Sequence, residues 1–296
     1  MANLKAIRIR IASVKSTRQI TSAMKMVAAA KLRKAQDKIV RLRPYANKLH
    51  EILVNLSQSL AESEVTNIFD RTGIPGKVLI VVVTSNRGLC GAFNSNIIRE
   101  ARRLAFEKYN DQFSKGNVEF FAIGKKGFDY LRKQKQKLAG ENNELLNDLT
   151  FEKASAMAEK IMTGFINHEF DSVEIIYNHF KNAAVQHVTT EVFLPVEVNA
   201  PGNGGKNGVP VDYIYEPDKE SIVTELIPKS LKIQFYKSIL DSFVAENGAR
   251  MTAMHMATDN ATKMVRELTL QYNKARQAAI TNQILEVVSG AEALKG

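Results

Sequence analysis

From Lys229 to Ser289 the chain runs for sixty-one residues without a proline and with a single glycine, Gly248. Helices of compact domains average three or four turns, so an unbroken run of this length demands something other than a globular core. Within it Leu240, Val244, Asn247, Met251, Met254, Thr258, Ala261, Val265, Leu268, Tyr272, Ala275 and Ala279 recur at alternating spacings of four and three. That is a heptad seam, and it predicts a coiled coil. At roughly 1.5 Å per residue the helix would be about 90 Å long, and only a second helix can cover so long and narrow a stripe.

The start of the chain supplies that helix. The first glycine is Gly73 and the only proline before it is Pro44, so residues 3 to 60 read as one helix, with any bend at Pro44. Its seam is Leu32, Ala35, Ile39, Leu42, Ala46, Leu49, Leu53, Leu56 and Leu60, and the same register run backwards reaches Val14, Ile11, Ile7 and Leu4. Between the two apolar blocks it falls on Arg18, Thr21, Lys25 and Ala28, three of them polar. Two readings of this gap stand. Either a neighbouring stripe, Ile20, Met24 and Val27, takes over through a local shift of packing, or the pair here presents its sides to something besides its helical partner. Both ends of the chain being helical and the middle not, an antiparallel pair within one chain is favoured over a dimer.

Charge sharpens this. Residues 1–50 carry thirteen Lys and Arg against one acid, Asp37, a net +12, while the other 246 residues hold 28 basic and 30 acidic side chains, a net −2. So basic a helix suits a polyanion: nucleic acid, anionic lipid or an acidic protein surface. A nucleic-acid-binding coiled-coil protein is the alternative reading, but this stretch offers only Tyr45 for stacking on bases. The longest apolar run, Val78 to Val83, is too short to span a membrane, and no targeting segment is expected at the basic start. One cysteine, Cys90, excludes an intramolecular disulfide and a cysteine metal cage; a buried, inert thiol is expected. The five histidines show neither HExxH nor an i, i+4 pair, so no metal and no cofactor is expected.

The middle of the chain changes character. A polar linker, Ala61 to Lys77, leads into a strand at Val78–Thr84, apolar as far as Val83 as a strand buried on both faces should be. Then follow the loop SNRGLCGAFN, a helix from about Ser95 to Phe113, a strand Val118–Ile123, a helix from about Lys125 to Lys137, a polar stretch, a helix from about Phe151 to Glu169, and strands at Ser172–Asn178 and Val185–Val196. Alternation of strand and helix predicts a small Rossmann-like α/β domain. Asn199–Gly208 reads as a flexible loop, and Pro228, after Ile227, as a break between a short helix at Lys219–Leu226 and the long one. The fold class is therefore α/β: an antiparallel coiled-coil shaft from residues 1–60 and 218–296, and a globular domain from 61–217. The loop at Ser85–Gly91 lies where open α/β sheets bind phosphate, yet it holds neither GxGxxG nor GxxxxGK[ST], and no catalytic constellation stands out, so an α/β enzyme with helical arms is disfavoured.

Four segments, IRIRIASVKSTRQITSAMKMVAAAKLRKAQ, SNRGLCGAFN, YIYEPD and ARMTAMHMATDNATKMVRELTLQYNKARQAAITNQILEVVSGAEAL, closely resemble the gamma subunits of F-type ATP synthases, in order and over essentially the whole chain. The resemblance implies a non-catalytic rotor. One gamma copy per complex enters a hexamer of alternating alpha and beta subunits, with its α/β domain on the membrane ring of c subunits beside the epsilon subunit, peripheral to the cytoplasmic face of the cell membrane. Ion flow turns the ring and with it the shaft, whose asymmetry drives the beta sites through different nucleotide affinities. It implies no bound nucleic acid. By the same resemblance Arg276, Gln277 and Thr281 form a catch on one beta subunit, Met24 with Arg18 and Lys25 lies where the shaft passes the beta subunits' acidic loops, and Tyr213, Tyr215 and Glu216 touch the c ring. The other reading of Tyr213–Glu216 is a strand-to-helix turn with Pro217 at the first helical position. The resemblance departs at Asn86, where the family commonly has aspartate.

Overall fold

A computed structural model describes residues 4–60, 69, 71, 73, 75–196 and 219–294. Most of the expected linker, the loop Asn199–Gly208, and Tyr213, Tyr215 and Glu216 lie outside the described residues. Two helices dominate: α1, Leu4–Leu60, and α6, Lys219–Ala293. Each contains a proline, Pro44 and Pro228. The break expected at Pro228 does not occur. Proline withholds one backbone donor, but Ile227 and Leu231 beside it are buried, and their packing carries the helix through.

The chain divides into two compact units. The first comprises residues 1–29 and 250–296 and consists of the two helices alone. From Leu4 to Thr17, and from Asp259 to Ala279, the heptad positions are the covered ones and every other residue is exposed. Coverage of two positions in seven is what a two-stranded pair provides. Beyond Ala279 every described residue of α6 is exposed.

The second unit spans Ala30–Ala249. Its centre is a five-stranded sheet of β1 (Val78–Val83), β2 (Val118–Ile123), β3 (Leu138–Glu141), β4 (Ser172–Phe180) and β5 (Gln186–Leu194), ordered β3-β2-β1-β4-β5. The first four run parallel and β5 antiparallel to β4. Central β1 is buried at all six positions, as its apolar run requires. Edge strand β3 falls in the stretch read as merely polar; its sequence LAGE carries no strand signal, and pairing to β2 makes it. The helices are α2 (Phe93–Arg103), α3 (Asn110–Ser114), α4 (Lys125–Lys133) and α5 (Phe151–Ile166), the last capped by Thr150 Oγ1, which accepts from Lys153 N. The single helix expected from Ser95 to Phe113 is instead interrupted by a π-turn at Leu104–Lys108. The wider turn sends Lys108 Nζ, at 2.5 Å, and the Tyr109 hydroxyl to the same buried carboxylate, Glu174 of β4.

Parts of both long helices belong to this unit. Leu32, Ala35, Ile39 and Leu49 of α1 are buried, as are Phe235, Ile239, Leu240 and Val244 of α6. Phe235 packs with its ring tilted 50° against Phe193 of β5, centroids 5.5 Å apart, and Tyr236 meets Phe151 of α5 edge-on at 5.6 Å. Asp241 of α6 binds Arg43 of α1 and His179 of β4. α1 meets α6 through Thr21 and Thr258 in the first unit and through Arg43 and Asp241 in the second.

Candidate functional site

The polar gap in α1 is not closed by a shift of packing. Ile20 and Val27 are each 58 % exposed, so no neighbouring stripe takes over, and Arg18, Thr21 and Lys25 keep their places on the seam. Thr21 is buried, and the hydroxyl of Thr258 sits 2.8 Å from Thr21 Oγ1 and 2.7 Å from Met254 O. Thr21 in turn donates to Arg18 O at 3.1 Å. The gap is a hydrogen-bonded layer inside the seam. Its small side chains satisfy one another, and Arg18 and Lys25 lie half-buried on either side. Met24 is half-buried as well.

Off the seam, the surface of this helical unit is unusual for one facing water. Ile9, Ile20, Met26 and Val27 of α1 and Met256, Met264 and Leu270 of α6 are all exposed. Between Lys5 and Lys25 this part of α1 has six basic residues and no acid. Apolar and basic side chains interleaved on an exposed surface mark a region that other protein covers. Their signal was present in the sequence as apolar residues that fit no heptad position.

The expected catch residues lie on the same unit. Arg276 and Gln277 are exposed between the half-buried seam alanines Ala275 and Ala279, and Thr281 is exposed with its hydroxyl returned to Gln277 O at 3.0 Å. The two guanidinium and amide side chains therefore remain available on one helical turn, while Thr281 is tied to its own backbone. Past them Ile280, Ile284, Leu285, Val287 and Val288 are between 47 % and 72 % exposed.

In the α/β unit, the loop after β1 fills its own crevice. Ser85 N donates to Asn94 Oδ1 at 2.9 Å, and Asn94 Nδ2 returns to Ser85 Oγ at 2.8 Å and approaches Cys90 Sγ at 3.3 Å. Cys90 is buried, as expected. At the start of α4 the first three N–H groups are taken: Lys125 N by Asn86 Oδ1, Lys126 N by Ser85 O and Gly127 N by Thr84 Oγ1. These N–H groups, which at a helix N-terminus could otherwise hold an anion, are here spent on the protein. Asn86 also donates from Nδ2 to Asn143 O at 2.7 Å and Asn147 Oδ1 at 3.2 Å. An aspartate could accept from Lys125 N but could not make these two bonds, which gives the departure at Asn86 a physical role.

A family model for ATP synthase matches residues 3–294. The ATP synthase gamma chain of Flavobacterium johnsoniae is 56% identical over 296 residues, all of both chains. This chain belongs to the ATP synthase gamma-chain family. The gamma chain of Cytophaga hutchinsonii is 51% identical over 99% of each chain. Among solved structures, a chain of the central stalk and c-ring of Tetrahymena thermophila mitochondrial ATP synthase aligns with a TM-score of 0.60 and 28% identity, covering 80% of this chain and 99% of that one. A chain of the Euglena gracilis mitochondrial enzyme shares the fold, with a TM-score of 0.72 over 98% of this chain and 94% of its own.

Proposed function

We propose that the chain is the central rotor shaft of an F-type ATP synthase, a non-catalytic subunit that couples turning of a membrane c ring to sequential change in catalytic beta subunits. The carrying observation is the helical unit whose outer surface is both basic and apolar and whose tip beyond Ala279 has no cover among the described residues. A rod that must be enclosed and still turn needs contacts without one deep fit. Scattered apolar side chains and long basic ones supply such contacts against an acidic sleeve, because attraction at a distance does not fix register. Alpha and beta subunits would form the sleeve.

In this reading Arg276 and Gln277 reach a beta-subunit loop as a catch that breaks and reforms, with the planar guanidinium suited to a carboxylate. Met24 slides past changing neighbours beside the seam-held Arg18 and Lys25. Residues 61–217 sit on the c ring, with Tyr213, Tyr215 and Glu216 at the contact and the epsilon subunit alongside. The subunit would be peripheral to the cytoplasmic face of the cell membrane; no described helix is long and apolar enough to cross one. Whether protons or sodium ions drive the ring follows from the ring's own residues. Reconstitution with alpha and beta subunits tests the reading. A one-to-one complex with ATP-driven rotation of this chain is expected, and a hexamer that excludes the chain would overturn it.

A further inference from the structure

Asp241 is 0 % exposed, and a carboxylate so stripped of water depends on donors that stay in place. Its two oxygens answer two different elements. Oδ1 accepts from Arg43 of α1 at 3.1 Å, and Oδ2 faces Nδ1 of His179 on β4 at 3.0 Å. The same guanidinium nitrogen reaches the carbonyl of Phe180, the next residue of β4, at 3.4 Å. Two turns further along α6, Gly248 admits the end of the β4–β5 hairpin: a Cβ there would stand 3.3 Å from both Ala183 Cα and the Phe180 ring. The hairpin end is thus wedged against both long helices and tied to each by directional bonds.

Apolar packing, such as Phe235 against Phe193, resists separation of the helices from the sheet, but the force behind it is non-directional. An arginine–carboxylate bond is directional and charge-assisted. Resting on the rotor reading, we propose that Asp241 is the positioning residue of a torsional clamp. With Arg43 and His179 it locks the β4–β5 hairpin to α1 and α6, so that twist applied to the sheet turns both helices without slip. Asp241 touches no substrate; it acts through the placement of the helices.

The test uses the assembled enzyme with its catalytic hexamer fixed to glass and a gold rod attached through Lys133→Cys, an exposed position on α4, Cys90 being buried. Asp241→Asn keeps the shape and removes the charge. Arg43→Met combined with Asp241→Leu leaves no buried charge unpaired and so preserves folding. Angular variance of the rod at rest should rise about twofold in Asp241→Asn, because charge-assisted bonds are roughly twice as strong as neutral ones, and further in the apolar pair. Wild-type variance in both variants, at normal assembly, would overturn the clamp while leaving the rotor reading intact. A wild-type chain that never assembles or never rotates would overturn both.

Discussion

Glu174 is 1 % exposed near the start of β4, next to the central strand, and its carboxylate is met by Lys108 and Tyr109. Both remain donors across the physiological range. Burial first, and then the neighbouring carboxylate, push the Tyr109 hydroxyl up; burial pulls the Lys108 ammonium down, but Glu174 more than offsets it and the net direction is up. Tyr109→Phe removes one donor with almost no change of shape. A hydrogen bond to a charged group contributes about 1.5–3 kcal/mol, so opening of β4 should become easier by about 2 kcal/mol. Lys108→Met should cost less, about 1 kcal/mol, because that side chain is half exposed and its attraction is screened. Amide hydrogen exchange of Val173–Tyr177 in the assembled complex reads this directly: 2 kcal/mol is about thirtyfold faster exchange. Adding Glu174→Gln to Tyr109→Phe should recover most of the protection, since a neutral amide is cheaper to bury than a carboxylate short of donors. Exchange in Tyr109→Phe within about threefold of wild type, less than 1 kcal/mol, would refute the reasoning, for it would mean that another donor satisfies Glu174.

Gly124→Ala would place Cβ 2.2 Å from Thr84 O on a backbone with φ of 104°; a cost of about 3 kcal/mol or more is expected, read as loss of assembled complex on native gels, and wild-type assembly would contradict it. Thr258→Val alone should loosen the helical pair by about 1 kcal/mol, whereas Thr21→Val with Thr258→Val should be neutral or stabilising, both followed by exchange of amides flanking Thr21. Arg276→Ala with Gln277→Ala should assemble normally yet lower ATP hydrolysis and synthesis together by about ten- to a hundredfold, the worth of one charge-assisted hydrogen bond, and Arg276→Lys should rescue little. Full activity of the double alanine variant would leave the tip as a passive bearing.

The helical pair was legible because one physical rule, burial at two positions in seven, governs it wherever the two helices have only each other. From Leu4 to Thr17 and from Asp259 to Ala279 the seam residues are the ones that are buried or half-buried, whereas between Leu240 and Thr258 off-seam residues of α6 are covered as well. Strand β1 was equally plain, since Val78–Val83 can belong only where both faces are dry. What escaped depends on contacts distant in sequence. Nothing local announces that Arg43, His179 and Asp241 meet, or that Lys108 and Tyr109 must both face Glu174 and thereby widen a helix into a π-turn. Pro228 misled because a local rule about backbone donors was outweighed by packing on both sides of it. Of the candidate site, Arg276 and Gln277 were singled out by resemblance alone, and the structure shows them exposed; the Thr21–Thr258 layer sat in view as a polar gap whose partner on α6 was itself a seam position.

The tip of α6 carries a consequence for how the cell keeps its subunits in proportion. The thirteen residues Thr281–Ala293 that close α6 are all exposed among the described residues, a stretch about 20 Å long, and a lone helix of that length is marginal in water. In a chain without its sleeve this end should open often, showing proteases an apolar stretch rich in isoleucine, leucine and valine. Inside the proposed sleeve the same stretch would be dry and closed to them. Surplus copies would then be degraded from the carboxyl end while incorporated ones survive, so that one short unpartnered helix acts as a quality-control tag that assembly conceals.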